Sequence, residues 1–247
     1  MKILVCVSKT PDTTTKISFT NNNTEFDTNN VQYIINPYDE WYALVRALEL
    51  KEANGGSVTT ITVGLAGDEA VAIRKALAIG ADDAVRVNAE PNDAYNVAFQ
   101  ISEYAKANNF DLVFTGKETI DYNGSQVGGM IAEMLNVPFI SYASKLEKEG
   151  DDFFIERDIE GGKEVIKTSL PVVVSSSKGL AEQRIPNMRG IMQARMKPLK
   201  VVEPVDCDDL TSLVSYEVPI EKTTCKMVDP ENVGELVQLL KNEAKVI

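Results

Sequence analysis

The chain has 247 residues with an ordinary apolar fraction of 44%, which suits one large α/β domain, or one domain with an extended arm. Its formal net charge of −12 repels phosphates, so we expect neither general nucleic-acid binding nor attachment to anionic membranes. The absence of histidine excludes histidine general bases, Ser-His triads and histidine metal ligands.

Strand-like and helix-like segments alternate through the first half of the chain. Residues 3–7 (ILVCV) are a continuous apolar run, typical of a strand buried on both faces. The polar stretch 8–30 predicts an irregular loop or hairpin that Phe19 and Phe26 would hold down. Further strands are predicted at 58–63, 84–87 and 112–115, and helices at 36–53, 68–79, 91–108 and 125–135. This alternation predicts a doubly wound, mostly parallel sheet.

The pattern changes after residue 136. Four strands are predicted close together, at 141–147, 153–159, 164–168 and 172–175, with glycine-containing hairpin turns between them. From residue 178 the prolines favour loop, and one short helix is predicted at 232–245. The fold class is therefore α/β: a Rossmann-like doubly wound sheet with an added β-hairpin region and an extended C-terminal arm. We place the α/β domain at 1–205 and the arm at 206–247, which has too few apolar residues to form a core alone and should pack on this domain or on a partner.

The remaining features argue against a metal centre and against secretion. Cys6, Cys207 and Cys225 are far apart in sequence, so neither a zinc site nor a disulfide framework is expected. No apolar stretch could span a bilayer, and the chain begins directly with strand-like sequence, so we expect a cytoplasmic protein without membrane insertion. No paired carboxylates or activated nucleophile stand out, which favours a binding or carrier protein over an enzyme.

Three loops would leave the carboxyl ends of parallel strands, where doubly wound sheets bind their ligands. They are residues 7–9, the glycine-containing turn 64–67 and the polar loop 116–129. The last of these enters a helix near Ser125, and the free N–H groups of a helix N-terminus favour phosphate. The sequence lacks the G-x-G-x-x-G and P-loop patterns, so an ordinary Rossmann or Walker site is not expected.

Two interpretations of the loop 116–129 stay open. In one, Ser125 and Gln126 add hydrogen bonds to a phosphate and Asp121 holds a ribose hydroxyl. In the other, Asp121, Asn123 and Ser125 only form a capped turn.

The segment 184–200 is a basic island in an acidic chain. It contains no acid, and its apolar residues are interspersed among the cations. Charges that steer and apolar groups that anchor suit transient docking of another protein. The alternatives are a solvated loop whose methionines pack on their own domain, or arginines that bind phosphate. The cations are Arg184, Arg189, Arg195, Lys197 and Lys200, and the apolar residues are Ile185, Met188, Ile191 and Met192.

Several stretches, in order from residue 1 to about 205, together resemble the beta subunit of electron-transfer flavoproteins. They are KILVCVSKTPD at the start, the N-P-x-x-E pattern at 36–40, IRKALAIGAD at 73–82, GKETIDYNGSQVGGMIAEML at 116–135, IERDIEGGKEVIKTSLPVVVS at 155–175 and RIPNMRGIMQARMKPLKV at 184–201. The resemblance implies a fold of the adenine-nucleotide-binding type. It also implies an electron carrier rather than an enzyme, which passes electrons from dehydrogenases or a similar donor through FAD to a respiratory acceptor.

The resemblance further implies a heterodimer with an alpha subunit, which holds most of the FAD and on which the arm 206–247 packs. The flavin-proximal residues would be Pro11, Asp12 and Thr13, although many members carry an aromatic residue at about position 13. The beta subunit would bind AMP or a second FAD, and AMP-type members often have threonine where this chain has Val127. The matching positions are Cys6 through its backbone, Asn36, Gly64, Thr119, Asp121, Ser125, Gln126 and Val127.

A recognition loop at 182–200 would dock a dehydrogenase or another redox protein, with Met188 as its apolar anchor. The docking residues implied are Arg184, Met188, Arg189, Ile191, Met192, Arg195 and Lys197. Two alternatives stay open: a subunit of an electron-bifurcating flavoprotein that uses NADH and a second FAD, and an adenine-nucleotide sensor similar to universal stress proteins.

Overall fold

A computed structural model describes residues 1–68, 72–220 and 225–247. Within these residues the main sheet has nine strands in the order β11-β10-β9-β12-β8-β1-β6-β7-β13. Its strands are β1 (Lys2–Cys6), β6 (Ser57–Val63), β7 (Asp83–Val87), β8 (Leu112–Gly116), β9 (Phe139–Glu149), β10 (Asp152–Ile159), β11 (Gly162–Thr168), β12 (Val172–Ser176) and β13 (Leu199–Val202). Strand β1 lies at the centre and pairs in parallel with both β6 and β8.

Helices cover both faces of this sheet, as the alternating sequence pattern predicted. Because successive strand residues point to opposite faces, Ile3 and Val5 join one apolar cluster while Leu4 and Cys6 join the other. The first cluster contains α1 (Asp39–Asn54) and α2 (Arg74–Ile79), and the second contains α3 (Ala94–Asn108) and α4 (Val127–Leu135). The doubly wound fold is therefore confirmed. The predicted helix at 68–79 is described only in part, since residues 69–71 lie outside the described residues.

The predicted β-hairpin region extends one edge of the sheet. Strand β9 pairs in parallel with β12 near Phe139 and then continues as an antiparallel partner of β10, which pairs with β11. The connecting turns contain Gly150 and Gly161, which have φ values of 60° and 84° and adopt this conformation without the cost that a side chain would add.

The prediction that the chain is loop from residue 178 to the arm was wrong. The structure forms α5 (Met188–Ala194), and β13 pairs in parallel with β7 at the other edge of the sheet. The prolines do not interrupt these elements but lie just outside them. Pro186 precedes the N-cap Asn187, whose side chain accepts a hydrogen bond from the Gly190 N–H at 2.8 Å, and Pro198 precedes β13.

Two short strand pairs form in the polar region that precedes α1. Strand β2 (Lys9–Pro11) pairs with β5 (Tyr33–Ile35), and β3 (Phe19–Thr20) pairs with β4 (Glu25–Phe26). The hairpin interpretation of this region is therefore confirmed, and the Phe19 and Phe26 rings contact each other edge to face.

The chain divides into two compact units. The first comprises Met1–Ile17 and Asp27–Val214. The second comprises Ser18–Phe26 and Ser215–Ile247. Within the second unit the Tyr216 ring stacks on Phe19 at 4.4 Å, and α6 (Val233–Leu239) forms where the terminal helix was predicted. No helix of the described residues has the length and apolar character needed to cross a membrane.

Candidate functional site

The direction in which the chain winds the sheet reverses between β1 and β8. From β1 the chain proceeds outward through β6 to β7 and then returns to β8 on the other side of β1. In open α/β sheets, ligands bind outside the carboxyl ends of the strands at such a reversal. Here the two strands end at Cys6 and Gly116, and the loops that follow them meet the first turn of α1.

The first turn of α1 places a buried carboxyl group at this point. Glu40 accepts hydrogen bonds from the Ser8 N–H at 2.6 Å and from the Ser8 hydroxyl at 2.8 Å. Burial raises the pKa of Glu40 to about 8, against the opposing effect of the two Ser8 hydrogen bonds. Gly116 makes this packing possible, because a Cβ there would lie 2.9 Å from Glu40 Cγ. Glu40 thereby fixes the loop that leaves β1.

Asn36 carries a buried acceptor atom that is available to a bound molecule. Its side chain is fully buried, and its Nδ2 donates to the Glu118 carbonyl oxygen at 3.0 Å. Its Oδ1 has no hydrogen-bond partner within the described part of the chain. Because buried polar atoms are nearly always hydrogen-bonded, this acceptor suits a donor group that a bound molecule would supply.

The loop between β8 and α4 ends in an open helix N-terminus. Gln126 is the N-cap of α4, but its side chain makes no capping hydrogen bond and the first turn contains no acid. Glu118 orders the loop, since its N–H donates to Asp39 Oδ2 at 3.3 Å and its carboxylate accepts from Ser125 Oγ at 3.5 Å. An uncapped helix N-terminus is a favourable position for a phosphate.

The structure supports only part of the alternative interpretation, in which this loop is merely a capped turn. Asn123 and Ser125 do adopt left-handed backbone conformations, with φ values of 49° and 52°. Asp121 accepts from the N–H of its neighbour Tyr122 at 3.0 Å and does not cap α4. The loop is therefore a turn, but its polar side chains leave the start of the helix open.

The structure gathers the predicted nucleotide-binding residues in the loops of this edge. Cys6 is buried at the end of β1, and burial raises the pKa of its thiol, so its side chain is a small neutral hydrophobe. Gly64 follows β6, and its N–H donates to the Val87 carbonyl oxygen at 3.0 Å. Between β8 and α4 the chain carries Thr119, Asp121, Ser125, Gln126 and Val127.

Sequence reasoning missed Glu40 and Ser8 as site residues. Glu40 entered only as one letter of the N-P-x-x-E pattern. The available signal was an acid three residues after Pro37, in the first turn of a predicted helix and close to the predicted ligand-binding edge.

The predicted flavin-proximal residues follow β1 along the same edge. Pro11 ends β2, opposite Tyr33 of β5. Asp12 accepts hydrogen bonds from the Thr14 N–H at 2.9 Å and the Thr14 hydroxyl at 2.6 Å, which lower the pKa of its carboxyl group. Thr13 is exposed within this turn. The arrangement presents a short ordered turn, and a role beside a flavin stays a prediction for all three residues.

Residues 182–200, which we call the docking segment, present large apolar side chains to solvent. The exposed fractions are 82% for Ile185, 74% for Met188 and 69% for Met192. Arg189 and Arg195 are exposed as well. This exposure does not support the alternative in which the methionines pack on their own domain.

The inner face of α5 is made of small residues instead. Ala194 is buried, and a Cβ on Gly190 would lie 2.5 Å from the Ala78 carbonyl oxygen. A surface helix ordinarily turns its large apolar side chains inward, and α5 does the opposite. Large exposed apolar groups beside arginines suit contact with another protein.

Two of the cations predicted to dock a partner are engaged within the domain. Lys197 Nζ donates to the carbonyl oxygens of Leu77 at 2.9 Å and Ala81 at 2.5 Å, and burial lowers its pKa. Lys197 therefore closes the carboxyl end of α2, because unpaired carbonyls at a helix end attract a cation. Arg184 forms a bidentate pair with Glu52 at 2.6 and 3.1 Å.

Comparisons with known proteins show the family of this chain. A family model described as the electron transfer flavoprotein domain matches residues 24–206. The electron transfer flavoprotein subunit beta of Bacillus subtilis is 39% identical over 262 residues, covering 100% of both chains. The electron transfer flavoprotein subunit beta of Thermoanaerobacterium thermosaccharolyticum is 37% identical over 96% of this chain and 92% of its own length. The human electron transfer flavoprotein subunit beta is 34% identical over 100% of this chain and 99% of its own length. The chain therefore belongs to the electron transfer flavoprotein family, as one of its beta subunits.

Proposed function

We propose that this chain pairs with an alpha subunit and, in that heterodimer, helps carry electrons from a dehydrogenase or similar donor through FAD to a respiratory acceptor. Most of that FAD is held by the alpha subunit, and this chain binds AMP or a second FAD at the edge where β1 and β8 end. The observation that carries the nucleotide site is the unpartnered Asn36 Oδ1 in the same loop cluster as the uncapped start of α4. The family match favours this proposal over a sensor similar to universal stress proteins.

The residues present fit an adenine nucleotide. The N–H groups at the start of α4 and the side chains of Ser125 and Gln126 bind phosphate, and Asp121 accepts from a ribose hydroxyl. Asn36 Oδ1 accepts a hydrogen bond from a further donor group of the ligand. Thr119 and the backbone at Cys6 and Gly64 form the rest of the nucleotide-binding site. The flavin, when bound, supplies the electron-carrying chemistry, and the chain supplies position and surroundings. The chain acts as a carrier subunit rather than an enzyme.

Partner contacts divide between two surfaces. The arm 206–247 packs on the alpha subunit, and the docking segment binds the dehydrogenase or other redox protein transiently. The exposed Met188, Ile191 and Met192 anchor the partner, and Arg189 and Arg195 steer it. Lys197 and Arg184 instead hold the docking segment on its own domain, through the end of α2 and through Glu52. We propose a cytoplasmic location.

Co-purification with the alpha subunit, followed by chromatography of the released nucleotides, tests this proposal. One FAD and one AMP per heterodimer is the expected result and means a simple electron shuttle. Two FADs would mean a bifurcating complex, an outcome that Val127 in place of threonine leaves room for. A lone chain that carries ATP and binds no flavin-bearing partner would overturn the proposal.

A further inference from the structure

The first turn of α1 belongs to two functional regions at once. Toward the nucleotide site, Asn36 Nδ2 donates to the Glu118 carbonyl oxygen at 3.0 Å, and Glu40 accepts from Ser8. Toward the docking segment, the Pro37 carbonyl oxygen accepts from Gln183 Nε2 at 2.6 Å. These contacts come from Asn36, Pro37 and Glu40, which lie within five residues at the start of α1, so a displacement of this short stretch moves both regions.

The start of the docking segment is fastened to α1 at two further points. Trp41 Nε1 donates to the Arg184 carbonyl oxygen at 3.3 Å. The Arg184 guanidinium group pairs with Glu52 in the last turn of the same helix. Helix α1 thus holds residues 183–184 through a backbone carbonyl, an indole and a carboxylate.

The end of the docking segment is held differently. Arg74 of α2 donates to the carbonyl oxygens of Ala194 at 2.8 Å and Lys197 at 3.2 Å, and Gly190 packs on Ala78. Since α2 supplies these contacts, the end of the segment is held by a different helix from its start, and α2 meets the first turn of α1 where Lys75 Nζ lies 4.5 Å from the centroid of the Trp41 ring. Met188, the proposed anchor, lies between the residues held by α1 (183–184) and those held by α2 (194 and 197).

We propose that Gln183 and Trp41 are positioning residues through which a nucleotide in the site orders the start of the docking segment. A ligand that bonds Asn36 Oδ1 and packs beside Glu40 immobilises the first turn of α1. The turn then holds the Pro37 carbonyl and the Trp41 indole in place for residues 183–184. Because coupling between two sites is reciprocal, an ordered docking segment also strengthens nucleotide binding. The inference rests on the proposed nucleotide site.

Hydrogen exchange of the heterodimer, with its beta-site nucleotide removed and then restored, tests the coupling. The probe is AMP, or FAD if the heterodimer co-purifies with two. We expect restoration to slow amide exchange about fivefold in residues 183–189 and to leave residues 195–200 unchanged. In Gln183→Ala this protection is lost, and the dissociation constant for the nucleotide rises by about fivefold, because the hydrogen bond from Gln183 to the Pro37 carbonyl oxygen is removed.

The matched control is Gln193→Ala, which removes the same side chain from the exposed face of α5 and should change neither readout. Trp41→Phe keeps the aromatic packing but removes the indole N–H, and it should shift both readouts in the same direction as Gln183→Ala. Unchanged exchange in the wild-type heterodimer on nucleotide binding, or full protection retained in Gln183→Ala, would overturn the coupling alone. Failure of AMP and FAD to bind at all would overturn the proposed function together with it.

Discussion

The buried carboxyl group of Glu40 makes the stability of this protein depend on pH. Glu40 has a folded-state pKa of about 8 against an ordinary value of 4.5, chiefly because burial disfavours its charged form. Asp39 lies beside it, and burial raises the pKa of that carboxyl group too. Since the unfolded chain releases the Glu40 proton more readily than the folded one, the contribution of Glu40 to the free energy of unfolding falls as pH rises from about 4.5 to about 8 and changes no further above that.

Glu40→Gln should remove this slope. Glutamine matches the protonated acid, since its carbonyl can accept from the Ser8 N–H and its amide can donate to the Ser8 hydroxyl. With ~1.4 kcal/mol per pKa unit, the gain over the wild type reaches on the order of 5 kcal/mol above pH 8 and vanishes at acid pH. Urea unfolding from acid to alkaline pH measures it, with the exposed Glu147→Gln as the control for loss of one charge. Parallel curves for wild type and Glu40→Gln would contradict the prediction.

At the scale of elements, the close approach of α4 to the sheet depends on one of two adjacent glycines. A Cβ on Gly128 would lie 2.7 Å from Thr115 Oγ1 and 2.9 Å from the Phe139 ring. A Cβ on Gly129 would approach the same ring only to 3.6 Å, an ordinary contact. Helix α4 can therefore present its N-terminus at the end of β8 only while residue 128 has no side chain.

Gly128→Ala should destabilise the protein by about 1–3 kcal/mol, because the added methyl group pushes α4 away from the sheet. The displaced helix start should also lower the amount of nucleotide that co-purifies. Gly129→Ala should be neutral, or stabilising by up to ~1 kcal/mol, since alanine favours helix. Denaturant unfolding of both variants tests this pair, and equal unfolding free energies would show that the close contact at Gly128 is unimportant.

At the scale of the whole molecule, the sheet separates the docking segment from the hairpin region. The docking segment leads into β13 at one edge, while β11 forms the opposite edge. Met188→Ala should lower kcat/KM for electron transfer from the dehydrogenase by about tenfold, because an exposed apolar anchor is lost. Nucleotide content should not change, since Met188 is 74% exposed and takes no part in the core.

Stopped-flow reduction of the heterodimer by its dehydrogenase measures this effect. Val165→Ala is the matched control, because it also truncates an exposed apolar side chain but lies on β11. An unchanged kcat/KM for electron transfer in Met188→Ala would contradict the docking role of this residue. An equal loss of kcat/KM in Val165→Ala would point to a general effect of truncating a surface side chain.

Local patterns were sufficient to predict the central fold. The apolar run at 3–7, the strands at 58–63 and 112–115 and the helices between them depend on periodicity and on capping residues, which act within a few positions along the chain. The same patterns placed the loop 116–129 at the edge proposed to bind the nucleotide, because the carboxyl ends of parallel strands must share one edge.

Contacts between distant parts of the chain decided the rest. Strand β13 exists because β7 offers it a pairing edge, and α5 is seated because Gly190 meets the backbone of α2. The sequence predicts Lys197 to be a docking cation, yet in the fold its ammonium group donates to carbonyl oxygens at the carboxyl end of α2. Glu40 reads as an ordinary acid in a helix, and only burial by the packed loops raises its pKa. Charge, pairing and burial at these positions depend on neighbours that only the folded chain brings together, and so local sequence alone does not determine them.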